Sequence, residues 1–402
     1  MAVAVSPPNR AYLDHNATAP LRPEAREAAL TAMDTTGNPS SVHAEGRAAR
    51  RIVEDARSEV ARLAGVSSRC VTFVSGGTEA ANAALNPLFG GGPNAAPLGR
   101  LIVSAGEHAC VLSGHRFPIA EAAPLRPDGR VDLDWLEAAC RRPGRALVAL
   151  QGANNETGVI QPVAAAAALV HAADGFLLCD AVQLPGRIAC DISELGADAL
   201  MLSAHKMGGL KGAGALVAAG AGVSLGAPLM RGGGQERGLR AGTESVAAIA
   251  AFGAATRACL AEAATEPARL VGLRDRLTIA VRSVAGDAVV FAETAPRLPN
   301  TLCFAVPGVE AATLMIALDL AGIAVSSGSA CSSGKVAPSH VLAAMGAPPE
   351  LARGAIRLSL GWASGEADIE RFAAAFASLM ARLRAARRGA AALTVEAAPA
   401  RE

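Results

Sequence analysis

Aromatic residues are scarce in this chain of 402 residues: Phe, Trp and Tyr together make up 3%. The core therefore has to be packed from Ala, Val, Leu and Ile, within a hydrophobic share of 51%, with glycine allowing close backbone approach. An excess of either charge is also missing, with 37 Lys and Arg against 36 Asp and Glu. That balance argues against a protein held to nucleic acid by bulk charge and against an acidic or basic tail protein. The high apolar fraction and low net charge exclude wholesale disorder.

No long hydrophobic run is present. One long uncharged stretch, 212–230, approaches the ~20 residues a membrane span needs. It carries Gly212, Gly214, Gly220, Gly222, Gly226 and Pro228, so it reads as a short strand and a loop, and no membrane span is expected. The opening MAVAVSPPNR lacks a basic region followed by an apolar run, so no secretory signal is expected. The eight cysteines form no CxxC pair and are not spaced with histidines as a zinc site requires. They read as reduced thiols of a cytoplasmic protein, most of them small buried hydrophobes.

Apolar runs at 71–74, 101–104, 146–150, 176–179, 199–203 and 214–218 read as strands. Helix-like segments such as 78–88 and 163–173 lie between them, and this alternation predicts an α/β domain with a mostly parallel, helix-covered sheet. An alanine-rich helix over 243–260 leaves that domain, and a second helix over 267–284 opens a smaller α+β region. That region has strands near 288–291, 301–305 and 355–360 and helices near 309–320 and 366–387. The predicted division is a large domain over 15–260, a small one from 1–14 and 261–388, and a flexible tail over 389–402. The glycine-rich 90–99 is a loop.

Chemistry-bearing residues cluster at strand ends. Ser75-Gly76-Gly77-Thr78 follows the first strand and could cradle a phosphate at a helix N-terminus. On its own the segment is equally an ordinary strand–turn–helix connection. Asp180 ends an apolar run, with Gln183 three residues on. A carboxylate there points into the ligand crevice of a parallel sheet, although alone it could as well cap a helix. Ser203-Ala204-His205-Lys206 follows another strand, where burial lowers a lysine pKa and makes its amine nucleophilic. A phosphate cradle, a carboxylate for a pyridinium nitrogen and a strand-end lysine are together the protein's share of pyridoxal-phosphate chemistry.

With these residues in place the sequence resembles the cysteine desulfurases of the class-V aminotransferase family, from Tyr12 to about Glu370. The matching blocks are YLDHNATAP (12–20), GNPSSVHAEGRAAR (37–50), VSGGTEAAN (74–82), EHACVL (107–112), NNETG (154–158), CDAVQLPG (179–186), SAHKMGGLKGAGAL (203–216), GGGQERGLRAGTE (232–244), SSGSACSSG (326–334) and IRLSLG (356–361). The resemblance implies an α/β, fold-type I pyridoxal-phosphate-dependent transferase, with a mostly parallel seven-stranded sheet in the large domain and a smaller α+β domain.

It also implies roles. Lys206 would bind pyridoxal 5'-phosphate covalently, and His108 would stack on the ring and move protons. Asp180 would pair with the pyridine nitrogen and Gln183 with the ring oxygen. Gly77, Thr78, Ser203 and His205 would hold the phosphate, with Thr243 supplied by the other subunit of a homodimer. Asn155 would contact the cofactor and, with Arg357, grip the substrate carboxylate, which the planar guanidinium fork matches.

Cys331 separates this subfamily from ordinary aminotransferases. It stands in a run of small, polar residues that reads as a loop, similar to the group I desulfurase signature. Its thiol would take sulfur from L-cysteine as a persulfide and pass it to an iron–sulfur scaffold or another acceptor protein, with a transient iron–sulfur contact on that scaffold. Leu210 departs from the family's usual proline. Rival readings are a selenocysteine lyase or aminotransferase of the same fold, and a non-catalytic scaffold that carries the cofactor.

Overall fold

The computed structural model describes residues 10–91, 96–327 and 339–396, so Cys331 lies outside the described residues. Seven strands form one sheet. Their order across it is Val71–Val74, Gly214–Ala218, Ala199–Ser203, Phe176–Asp180, Ala146–Gln151, Arg100–Ser104 and Ala120–Ala123. Only Gly214–Ala218 runs against its neighbours. The mostly parallel, seven-stranded expectation is met.

The apolar runs are continuous because both faces of this sheet are covered. Successive residues divide between two apolar clusters, as the period of two in a strand demands. Val148, Leu150 and Leu177 pack on one face with Ala166 and Val170 of the helix Val163–Ala172. Leu147, Ala149 and Leu178 pack on the other with Ala80 and Ala84 of the helix Gly77–Ala84. On the first face the helices Ala44–Ala64 and Val246–Glu262 also meet. A Cβ on Gly253 would lie 2.6 Å from the Ala56 Cα, so these two helices touch backbone to backbone. That closeness is what a core poor in aromatics and rich in Ala and Gly allows. Of the seven described cysteines, all but Cys110 are buried, and all are free thiols.

A second, antiparallel sheet has the order Ser326–Ser327, Ile356–Ser359, Thr301–Ala305, Val289–Val290. The N-terminal strand Ala11–Tyr12 pairs in parallel with Ile323–Ala324. Ala11 and Leu13 share an apolar cluster with Leu273, Phe304, Leu314 and Phe376. Three phenylalanines meet here: Phe372 stacks on Phe376 at 5.5 Å, and Phe304 meets Phe376 edge-on at 5.8 Å.

Several elements differ from the sequence reading. The edge strand Ala120–Ala123 and the helices Pro23–Met33 and Ala44–Ala64 were not predicted. The C-terminal helix Glu366–Glu396 continues into the stretch expected as a tail. Among the described residues no single helix is long and apolar enough to cross a membrane.

Candidate active site

Parallel strands bring their C-terminal ends to one edge, and the connections that follow them line a crevice. Asp180 ends one strand, Ser203 ends its neighbour, and the turn Ala204–Lys206 follows directly. Together with Gly77, Thr78, His108, Asn155, Gln183, His205, Lys206 and Arg357 they surround one cavity of about 260 Å³. Thr243 lies apart, in a smaller depression of about 110 Å³ beside Glu236, Arg240 and Ser245.

The glycines at the crevice have a steric reason. A Cβ on Gly214, in the antiparallel strand, would come within 2.6 Å of the Gly76 Cα. The turn at Gly76 therefore lies against the bare backbone of Gly214, and the helix Gly77–Ala84 starts there, with Gly77 and Thr78 lining the cavity. Glu79 accepts the Ser75 N–H at 2.8 Å and pairs with Arg240 at 3.0 Å, which fixes that first turn.

Lys206 Nζ donates to the carbonyl oxygens of Asn16 at 2.6 Å and Ala17 at 2.9 Å. Asn16 is itself tied down on every side. Its side chain donates to Thr301 Oγ1 and to the Asn155 carbonyl, accepts from Asn300 Nδ2, and its N–H donates to Ser359 Oγ. Gln183 Nε2 donates to the same Asn16 carbonyl at 3.1 Å, and its Oε1 is buried without a partner. The end of Gln183 left for a ligand is therefore its acceptor.

His108 caps the short helix Ala109–Leu112, where its Nδ1 accepts the Cys110 N–H at 3.2 Å. A backbone N–H can only donate, so the neutral ring carries its proton on Nε2. The Cys110 thiol lies 3.1 Å from the same Nδ1 and lines the cavity. Arg357 is buried; its Nη2 pairs with Asp14 at 2.7 Å and its Nη1 donates to the Asn155 carbonyl at 2.8 Å.

Burial dominates the electrostatics. It raises Asp180, although the Val182 N–H at 3.0 Å, His108 and Lys206 all favour the carboxylate. Burial and then the charge of Asp180 push Glu107 well above the usual carboxyl range. Glu107 accepts the Gln151 N–H on one oxygen, and its other oxygen is buried without a partner. Burial also lifts Glu156 to about 7, where Ser339 Oγ donates to it. His205 is held down to about 4 by burial and by Lys206 and Lys211, which favours its neutral ring near pH 7.

These groups fit pyridoxal phosphate. The cavity offers an amine for the aldehyde, a buried carboxylate for the ring nitrogen and an unpartnered buried acceptor on Gln183 for the ring hydroxyl. A helix N-terminus with Thr78, Ser203 and His205 is there for the phosphate. Sequence reasoning did not nominate Asp14, Asn16, Ala17, Glu107, Cys110, Gln151 or Val182. All of them but Gln151 stand inside the family-like blocks, and Glu107, Cys110 and Val182 lie within two residues of nominated ones.

Comparison with known proteins agrees with this geometry. Residues 11–372 match the family described as Aminotransferase class-V. A cysteine desulfurase of Cereibacter sphaeroides is 40% identical over 94% of this chain and 97% of its own. A NifS-like protein of Rickettsia africae has a similar structure, with a TM-score of 0.83 and 33% identity over 92% of this chain and 99% of that one. A protein named SspA, solved in complex with cysteine, superposes with a TM-score of 0.74 and 27% identity over 87% of this chain and 99% of that one. The chain belongs to the class-V aminotransferase family.

Proposed function

We propose that this protein is a pyridoxal-phosphate-dependent cysteine desulfurase, which turns L-cysteine into L-alanine and hands on the sulfur. The observation that carries this reading is the convergence of Lys206, Asp180, His108 and Arg357 on one cavity, in a chain 40% identical to a cysteine desulfurase. SspA, a structural relative, has been solved with cysteine.

When bound, the cofactor supplies an aldehyde for the substrate amine and a ring that accepts electrons from the Cα–H bond. Lys206 would hold it covalently and would be the base for the Cα proton. Asp180 would hold the proton on the ring nitrogen. His108 would lie against the ring and help move protons. Gly77, Thr78, Ser203 and His205 hold the phosphate, and Asn155 and Arg357 orient the substrate carboxylate. The Cys331 thiolate attacks the substrate sulfur: an S–S bond forms, the Cβ–S bond breaks, and its electron pair stays on the substrate carbon, which is protonated on the way to alanine. The persulfide then passes to an acceptor protein, for which an iron–sulfur scaffold suits the chemistry. We place the protein in the cytoplasm as a homodimer in which Thr243 serves the partner's cavity. Neither nucleic acid nor membrane enters its function. The large domain is assigned to 15–260 and the small one to the N-terminal residues and 261–388.

The test is incubation of purified protein with L-cysteine and a reductant, assaying alanine and sulfide. Cys331→Ala should keep the bound cofactor's visible absorbance and release no sulfide. Unimpaired release by that variant would end the proposal, since a transaminase has no use for this thiol. Lys206→Ala should lose the covalently held cofactor, and an unchanged spectrum contradicts the lysine assignment.

A further inference from the structure

Arg357 has a carboxylate partner before any substrate arrives. Asp14 forms an isolated bridge with Ser359, beside the strand Ile356–Ser359 that carries Arg357. His15 N–H donates to the Ser359 carbonyl, and Ser359 N–H donates to the Leu13 carbonyl. This register sets the Asp14 side chain on Arg357, with Oδ1 2.7 Å from Nη2. The Arg357 side chain is 3% exposed and that of Asp14 20% exposed, so the cation is sequestered while its anion borders open space. The other terminal nitrogen is committed to the Asn155 carbonyl.

A buried guanidinium without a counter-charge is a strong trap for any carboxylate. With Asp14 in place, the charge at this end of the cavity is already balanced. Arg357 Nε is buried without a partner, so an incoming carboxylate finds a donor there, but it meets the like charge of Asp14 on the same guanidinium. Resting on the reading that Arg357 receives the substrate carboxylate, we propose that Asp14 is a specificity-determining residue. It lowers the cavity's affinity for simple carboxylates, so that only an anion which also engages the cofactor through its amine is retained. Specificity of this kind comes from a repulsive element as much as from the attractive one.

The probe is propionate, a carboxylate with neither amine nor thiol, titrated calorimetrically into the cofactor-loaded protein. Asp14→Asn keeps the side chain's shape and removes its charge. It should bind propionate about tenfold more tightly than the parent and lower KM for L-cysteine more than it changes kcat. Asp14→Glu retains the charge and should bind propionate within about twofold of the parent, which separates charge from packing. Unchanged or weaker propionate binding by Asp14→Asn overturns the proposal, as does an equal gain in Asp14→Glu. Arg357→Ala tests the underlying reading separately. If it leaves KM for L-cysteine unchanged, the carboxylate site is elsewhere; if it raises KM while Asp14→Asn changes nothing, only the role of Asp14 falls. The calorimetric comparison needs no turnover, so it survives even if the parent forms no alanine.

Discussion

Arg57 and Glu236, 179 residues apart, form a two-point ion pair in which both terminal nitrogens lie 2.7 Å from a carboxylate oxygen. Both side chains are buried, at 4% and 2% exposure. Glu236 also accepts the Phe73 N–H at 2.8 Å, and the guanidinium lies over the Phe73 ring at 4.7 Å. The pair therefore fastens the segment carrying Thr243 to the edge strand of the large sheet. Glu236 and Arg237 both have positive φ, 45° and 58°, which side chains adopt only under constraint. Arg57→Met leaves the Glu236 charge buried without its partner and should cost ~3–5 kcal/mol, read from the shift of the urea midpoint. A loss below ~1 kcal/mol would mean that water replaces the guanidinium.

Gly214→Ala tests the contact between strand and phosphate turn. The added methyl would sit 2.6 Å from the Gly76 Cα. The turn must shift, at a cost of ~1–3 kcal/mol. Cofactor affinity should fall as well, because the shifted residues include Gly77 and Thr78. Equilibrium titration of the cofactor-free protein reads this directly, and an unchanged dissociation constant would remove the turn from the phosphate site.

His15 is buried, and burial first, then Arg187, Arg22 and Arg269, lower it from 6.5 to about 3. The unfolded chain takes up this proton near pH 6.5 and the folded one does not until about pH 3. Stability contributed by the neutral ring is thus complete above pH 6.5 and is lost as pH falls toward 3. His15→Asn should be less acid-sensitive than the parent between pH 6.5 and 4, whatever its stability at neutral pH. Parallel denaturation curves across that range give the comparison.

Glu156 shifts the other way. Its folded value, raised by burial from 4.5 to about 7, means that the protonated acid contributes fully below pH 4.5 and that this contribution is lost as pH rises through 7. Glu156→Gln cannot ionise. Its stability relative to the parent should therefore rise between pH 5 and pH 8.5, by on the order of 3 kcal/mol. A pH-independent difference would show that Glu156 is already ionised at pH 5.

Residues at the ends of apolar runs were legible from sequence. Asp180 ends a buried strand and Lys206 follows closely on another, where a charged side chain stands out against the apolar run. The strands 71–74, 199–203 and 214–218 were bounded correctly because turn or polar residues stop them. The edge strand Ala120–Ala123 was not legible, since its sequence AEAA has no β-branched or aromatic residue and only pairing with Arg100–Ser104 makes it a strand. The alanine-rich helix predicted over 243–260 is Val246–Glu262, because Ala carries no boundary signal of its own. Asn16 and Asp14 escaped notice for a different reason. Their partners, Lys206, Thr301, Ser359 and Arg357, are remote in sequence, and no local pattern points to a contact made only by the finished fold. Glu107 stood next to His108, yet only its burial beside Asp180 gives it a role.

Asn16 has one more consequence, for how the protein is made. The carbonyl that receives the Lys206 amine belongs to a residue near the start of the chain, and that residue is held by Asn300, Thr301 and Ser359. A nascent polypeptide leaving the ribosome cannot complete this corner until residue 359 has emerged. Capture of the vitamin-derived cofactor in its final setting must then wait for almost the entire chain to be translated, and a truncated product would circulate with its amine unsupported.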